Sequence, residues 1–479
     1  MKCSKNRDSD RLLMFIAIKY AMCRHVFNKR SLSLFLLTVC CLLLTAFPSS
    51  SATAGDADAG LSLADAVRNA LENNYEIRAF KNTLAVSNED IGVARSFLLP
   101  KLNFEERFMS TSNPTYAFMA KLNQERFSQA DFAINSLNSP SAINDFQTSL
   151  SFEQPLFSKK AYVGIKMAKL EHTAKNEEFM RKREEIAFKV TQAYLSLVMT
   201  GQQVAMAEKT LEDTREHLRI AELRFKNGLG LFSDTLRTST AVTEAEQQLV
   251  SVRKNLAVAG RYLSLLMGLQ ETVAVAGVSP EIPVRDMEYY KNSALSRKDI
   301  KSMEALHEDA KNGIALSEAA YWPTVGVGGS YQLNDQRDPL GSEGSSWIVA
   351  AFLRWELFDG AKREHELAQA RYRTAETEER LKGLIDTVSF KVYESFLGID
   401  EAKKNLELSQ SELKTAEEGK RLVKIRYENS LSPLVDLMDA QISLDHARTN
   451  LVVTENEYRL AAAKLCYESG TILKDLNIE

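Results

Sequence analysis

Arg224-Phe225-Lys226-Asn227-Gly228 returns 202 positions later as Arg426-Tyr427-Glu428-Asn429-Ser430. The same offset carries Asp234 onto Asp436, Ala245 onto Ala447, Leu249 onto Leu451, Ala259 onto Ala461, Leu263 onto Leu465 and Gly268 onto Gly470. No insertion is needed between residues 224 and 268. Upstream, Pro155-Leu156-Phe157 aligns with Glu356-Leu357-Phe358 at an offset of 201, and Phe97-Leu98-Leu99-Pro100 with Ala320-Tyr321-Trp322-Pro323 at 223. A chain written twice is two copies of one supersecondary unit. The first copy carries 22 extra residues between its two upstream landmarks.

Each copy reads alike. A helix is expected over 61–98 and again over 287–321, each stopped by a proline, Pro100 or Pro323. Alternating stretches follow, with strands expected at about 101–110 and 146–157, then at about 324–332 and 347–357. In the first copy Leu102, Phe104 and Phe108 share a face that Glu106 interrupts, and Phe146, Leu150, Phe152 and Leu156 share another. In the second, Val325, Val327 and Tyr331 alternate, as do Trp347, Val349, Ala351, Leu353, Trp355 and Leu357. Each stretch has the length of a tilted membrane-spanning strand. Long helical runs are expected over about 158–226 and 359–428, roughly 100 Å each at ~1.5 Å per residue. Turns at Asn227-Gly228-Leu229-Gly230 and Asn429-Ser430-Leu431-Ser432-Pro433 lead into return helices at about 233–267 and 434–468. The first return helix carries Val242, Ala245, Leu249, Val252, Leu256, Ala259 and Leu263, a strict heptad that predicts a left-handed coiled coil. The second keeps Leu444, Ala447, Leu451, Tyr458, Ala461 and Leu465, interrupted at Thr454. The repeats are thus 55–268 and 287–479, joined by a linker at 269–286.

Lys29 and Arg30 precede an apolar run from Leu32 to Phe47 and a small-residue site, Ser51-Ala52-Thr53-Ala54, so 1–54 reads as an export signal cleaved after Ala54. Met1, Met14 and Met22 are all candidate starts. Val39 stands where a lipid-anchoring site at Cys40 or Cys41 would carry a small residue. Without the signal, 52 basic and 62 acidic residues remain, a net charge of −10, which disfavours nucleic acid as a partner. Cys3, Cys23, Cys40 and Cys41 leave with the signal; Cys466 remains, near the heptad stripe, as a small packing residue. No later segment holds 18 consecutive apolar residues, so a membrane role requires a barrel. Four strands cannot close a pore, since even eight leave a filled interior. Other copies around a closed symmetry axis must complete the sheet.

The order of these pieces resembles the TolC-like outer-membrane efflux proteins over nearly all of the chain after the signal. The carrying residues are Leu61-Ser62-Leu63-Ala64-Asp65-Ala66 with Ala70-Leu71-Glu72-Asn73-Asn74, the strand starts at Pro100 and Pro323, and Pro155-Leu156-Phe157 with Leu357-Phe358-Asp359-Gly360. Arg224-Phe225 with Gly228 and Asp234, and Arg426-Tyr427 with Asp436-Leu437-Met438-Asp439-Ala440-Gln441, complete the set. The resemblance implies an α+β membrane protein. Three copies would form a twelve-stranded outer-membrane barrel, set in lipid, over a twelve-helix periplasmic tunnel. It also implies a periplasmic adaptor (a membrane fusion protein) and an inner-membrane pump of the RND or ABC kind, in efflux or type I secretion. The strand loops 111–145 and 332–346 would then face outside. The other reading, a periplasmic coiled-coil scaffold or adaptor without a pore, would need the strands to form a small soluble sheet.

The resemblance also implies site roles. Asp436 and Asp439, one turn apart on one helix face, match acids that narrow the family's tunnel entrance. Three copies would present two carboxylate rings, favouring cations. Asp436 has a second reading. Ser432 looks like an N-cap and Pro433 like a first helical residue, so Asp436 suits the helix dipole, as Asp234 does in the first copy. Asp439 has Arg237 as its mate, so the shared fold does not require an acid there. Gly228, Ser430, Ser432, Asp234 and Tyr427 fall at the tips, where adaptor contact and gating are implied. In some members an arginine at the position of Ser432 pairs with the acid matching Asp234. Ser432 lacks that cation, whereas Tyr427 could still hydrogen-bond Asp234.

No Ser/His/Asp or Cys/His constellation can be assembled, so no enzyme and no cofactor are expected. His25, His172, His217, His307, His365 and His446 are scattered without metal-ligand spacing and read as solvated helix residues. Gly326, Gly328 and Gly329 lie in a strand, not ahead of a helix. In the longer first loop, Asn113-Pro114 and Asn138-Ser139-Pro140 are turn chemistry. Phe127, Phe132 and Phe146 could pack that loop over a barrel mouth; the alternative is a mobile surface loop.

Overall fold

The computed structural model describes residues 60–275 and 282–478. The expected signal at 1–54 lies outside these residues, as does part of the linker.

Each copy opens with two helices where the sequence suggests one. In the first, α1 (Leu63–Asn73) starts at Ser62, whose hydroxyl accepts from the Asp65 N–H at 3.2 Å. Its apolar face, Leu63, Ala66, Val67, Ala70 and Leu71, is buried. The chain then breaks at Asn74 before α2 (Tyr75–Ser96). Asn74 caps α2 by accepting from Glu76 N–H (2.8 Å) and Ile77 N–H (3.3 Å). Its amide also donates to the Leu266 carbonyl at 2.7 Å. One side chain thus serves both a helix start and an orphan carbonyl at a helix end, which a continuous helix could not do.

The second copy repeats the device with different chemistry. The expected helix at 287–321 is α7 (Met287–Ala294) and α8 (Lys298–Glu318), ending in a 3₁₀ turn. At the break, Arg297 donates to the Glu468 carbonyl at 2.6 Å and to its carboxylate at 3.0 Å, and pairs with Asp299 at 2.6 Å. Arg297 stands 223 residues after Asn74, and Glu468 stands 202 after Leu266. The two offsets therefore converge on equivalent contacts.

Four strands follow the helices: β1 (Lys101–Thr111), β2 (Ile143–Phe157), β3 (Thr324–Asp335) and β4 (Gly344–Arg354). They form one antiparallel sheet in the order β1-β2-β3-β4, leaving β1 and β4 as edges. The register puts Leu102, Phe104, Leu150, Phe152, Tyr331, Trp347, Val349 and Leu353 on one exposed face. Asn103, Arg107, Gln147, Ser151, Gln332 and Asn334 lie on the other. The strand expected at 347–357 begins three residues earlier and ends at Arg354. Arg363 bonds the Glu356 and Leu357 carbonyls (3.0 and 2.8 Å), drawing that stretch into a turn. Glu106, the misfit on the apolar face, receives the Thr148 hydroxyl at 2.5 Å and the Leu340 N–H at 3.3 Å.

The span 111–145 is not a simple loop. It holds α3 (Pro114–Asn123), a 3₁₀ turn (Gln129–Phe132) and α4 (Ile134–Asn138). Phe127 lies edge-on between Phe118 (4.8 Å) and Phe132 (5.0 Å). Phe146 takes no part in that cluster. It packs against Phe108 on the apolar face of the sheet, at 4.7 Å.

The long helices are α5 (Lys159–Lys226) and α9 (Lys362–Glu428), with 68 and 67 residues, each about 100 Å at ~1.5 Å per residue. α6 (Phe232–Leu266) returns along α5, and α10 (Leu434–Glu468) along α9. Ala245, Leu249, Val252 and Leu263 are buried in the first seam. Thr454, where the second stripe is interrupted, is also buried; its hydroxyl meets that of Ser409 at 2.7 Å, so the polar intruder has a partner inside the seam. The largest apolar core gathers Leu63, Val67, Ile186, Tyr194, Leu263, Ile300, Val392, Leu465 and Cys466. It lies where α1, α7 and α11 (Ile472–Asp475) pack beside the long helices.

Candidate functional site at the helical tips

Both hairpins turn by one scheme. The N–H of Leu229 bonds the Arg224 carbonyl at 2.8 Å, and that of Leu431 bonds the Arg426 carbonyl at 2.8 Å. Both are the six-to-one bond of a helix C-terminus closed by a left-handed residue. That residue is Gly228 (φ 71°) in one copy and Ser430 (φ 61°) in the other. Glycine takes this conformation freely; a serine there is strained by about 1 kcal/mol.

One side chain ties the two tips together. Arg224, at the end of α5, donates to the Tyr427 carbonyl and to the Ser430 hydroxyl, both at 3.0 Å. Its guanidinium also lies 4.8 Å over the Tyr427 ring. Tyr427 is buried with Leu434 and Leu437. Burial pushes its phenol above the ordinary value; the Asp234 charge adds to this and Arg224 opposes it. Within the chain the side-chain contact at Tyr427 is to Arg224, and no hydrogen bond joins its hydroxyl to Asp234. The contact that joins the two tips here runs through Arg224, a residue quoted in the sequence only as part of the repeat.

Asp234 and Asp436 hold the same place, the third residue of α6 and α10. The N-cap of α10 is Pro433, not Ser432. Ser432 instead donates its hydroxyl to the Asp436 carboxylate at 2.5 Å. Asp436 and Asp439 are exposed, on the side of α10 away from buried Leu434 and Leu437. Around them the tips expose Leu229, Leu231, Phe232, Leu236 and Leu431.

Higher in the hairpins, Lys420 of α9 meets Asp213 of α5 at 2.9 Å. His217, read from sequence as solvated, is buried there, and neither ring nitrogen has a hydrogen-bond partner. Burial holds its pKa below the ordinary imidazole value. His172 and His307 are also engaged, with Ser87 at 2.9 Å and Thr377 at 3.0 Å.

A sheet with one apolar face, as a membrane-spanning sheet needs, is continued by helices of about 100 Å, each met by an antiparallel return helix of about half that length. The chain matches the outer membrane efflux protein family over residues 66–269 and 289–469, and it belongs to that family. The alkaline protease secretion protein AprF of Pseudomonas aeruginosa is 21% identical over 439 residues, covering 88% of this chain and 86% of AprF. Among solved structures, CusC superposes with a TM-score of 0.73 at 15% identity, covering 86% of this chain and 92% of CusC. The outer membrane protein VceC of Vibrio cholerae gives 0.69 at 16% identity, covering 87% and 97%. The chain is therefore an outer-membrane protein with the channel-tunnel fold, of a family of channel proteins, and the scaffold reading without a membrane sheet is set aside.

Proposed function

We propose that three copies of this chain close a twelve-stranded barrel and a helical tunnel beneath it, a passive exit duct across the outer membrane. The observation that carries this is the four-stranded sheet with both edges open and an apolar outer face. In a bilayer such edges must be paired, and a closed ring of copies pairs them all. A periplasmic adaptor engages the tips through the exposed residues of 227–233 and 429–434, and an inner-membrane pump of the RND or ABC kind supplies the energy. AprF, named for protease secretion, supports protein cargo; the family as a whole supports efflux of smaller solutes.

Asp436 and Asp439 form the constriction in this reading. Their exposure on the side of α10 away from the Leu434–Leu437 seam supports it. Gly228, Ser430, Ser432, Asp234 and Tyr427 set the tip geometry that opens and closes.

The test is single-channel conductance of the purified trimer in a planar bilayer, alongside Asp439→Ala. We expect a small, cation-selective conductance that grows and loses selectivity in the variant. An unchanged variant would move the constriction elsewhere; a correctly folded trimer that does not conduct would overturn the duct.

A further inference from the structure

The 22 residues that the first copy has in excess build α3 and its neighbours, and the register fixes which side of the sheet they lie on. Gln124, at the end of α3, donates to the Asn144 carbonyl and to the Asp145 carboxylate, both at 2.9 Å. Asn334 of β3 donates to both oxygens of the same carboxylate at 3.0 Å. Gln332 in turn donates to Asn334 at 2.7 Å. Gln124, Asp145 and Asn334 are 1%, 3% and 1% exposed, so the network is closed to solvent. Ala117 and Ala120 of α3 pack on Ile143 beside it. On β4, a Cβ at Gly344 would strike the Asn123 carbonyl, so the end of α3 lies directly on that strand.

Met109 pairs with Asp145, Gln147 with Asn334, and Asn334 with Gly344. All belong to the polar face, opposite Phe104, Leu150, Tyr331 and Trp347. The helices therefore lie on the side that becomes the lumen once the barrel closes. They sit at the strand ends remote from the long helices, because β1 enters from α2 and β2 leaves into α5 at the other end.

We propose that this cap is a plug for the outer mouth, completed by the same segment of two further copies. The proposal rests on the trimeric barrel above. Twelve strands about 4.8 Å apart and tilted by ~40° enclose a barrel about 24 Å across. A helix about 10–12 Å wide lying on its wall reaches roughly to the axis, so three fill the mouth. The side of α3 away from the sheet exposes Tyr116, Met119 and Leu122, at one-turn spacing. Apolar groups gathered on a segment facing a polar lumen mark a contact surface. The threefold axis presents each cap with its own copies, so the occupant is a second copy of this chain.

Met119→Cys tests the contact. From residue 55 onward the chain's one cysteine is Cys466, which is 1% exposed and cannot compete. Oxidation of the purified trimer should convert about two thirds of the chains to disulfide-linked dimers, since a thiol pair at a threefold axis leaves one chain over. Gly344→Ala, which pushes the cap off β4, should abolish the dimers while the trimer persists. A trimer whose Met119→Cys form does not cross-link overturns the plug and leaves the barrel standing. A monomer by light scattering in the same detergent removes the trimer and the plug with it.

Discussion

Arg224 spans two tips that are adjacent in space and 200 residues apart in sequence. Its planar fork reaches a carbonyl and a hydroxyl together, which a lysine's point charge does not reproduce. Arg224→Ala should weaken the contact between the two tips by about 2 kcal/mol, the scale of two charge-assisted hydrogen bonds less their solvent exchange. Arg224→Lys should rescue little of it. Conductance would report both as longer and more frequent open events; a variant that gates like wild type would remove the Arg224 contact from the closing mechanism. That Asp436 and Asp439 share one exposed helix face was legible, because spacing along a helix is a local property. The Arg224 contact was not: nothing in the linear pattern says that the end of α5 lies against Tyr427. Ser430 explains its own strain in part, since glycine there would relax the backbone but give up the hydroxyl that Arg224 holds.

Among the elements, the hairpins α5–α6 and α9–α10 were the most readable, because a heptad is a strong periodic signal. The short helices ahead of the sheet were misread as continuous for an equally physical reason. Asn74 and Arg297 are both compatible with helix, and only the carbonyls they reach, on distant return helices, make a break worthwhile. Arg297→Met would leave the buried Glu468 carboxylate without its cation and Asp299 with Arg181 alone, 3.9 Å away. We expect a loss of about 3 kcal/mol, seen as a lower melting temperature; an unaltered melting curve would make the ion group dispensable. The buried imidazole of His217 gives the packing of α5 against α10 a pH dependence. Its folded pKa lies below its unfolded value of about 6.5, so the unfolded chain binds the proton more readily. Stability is full above about pH 6.5 and falls as the pH drops through that value toward the lower folded one. Gln441 of α10 and Asp213 lie close by and favour the proton; Lys420 and Lys424 oppose it. Thermal unfolding of wild type and His217→Gln between pH 8 and 5 should show a slope in the first that is flatter in the second. Equal slopes would assign the dependence to other groups.

At the level of the whole molecule, the duplication was visible in the sequence as two offsets. The structure turns them into two matched pairs, Asn74 with Leu266 and Arg297 with Glu468. The sheet was legible because apolar and polar residues alternate along it. The cap was not: its helices are short, and its placement depends on one polar network, Gln124, Asp145 and Asn334, whose members look like ordinary loop and strand-end residues. The aromatic cluster was only half anticipated, since Phe146 belongs to the outer face. The duplication keeps the backbone scheme at the tips, where Leu229 and Leu431 make the same bond, and is broken at the mouth. In the proposed trimer the body would have near-sixfold pseudo-symmetry at its inner end and strict threefold symmetry at its outer one. A partner ring docking below such a trimer would meet six nearly alike hairpin ends and could be built of three subunits or six, whereas anything seated at the outer opening would have to obey the threefold axis alone.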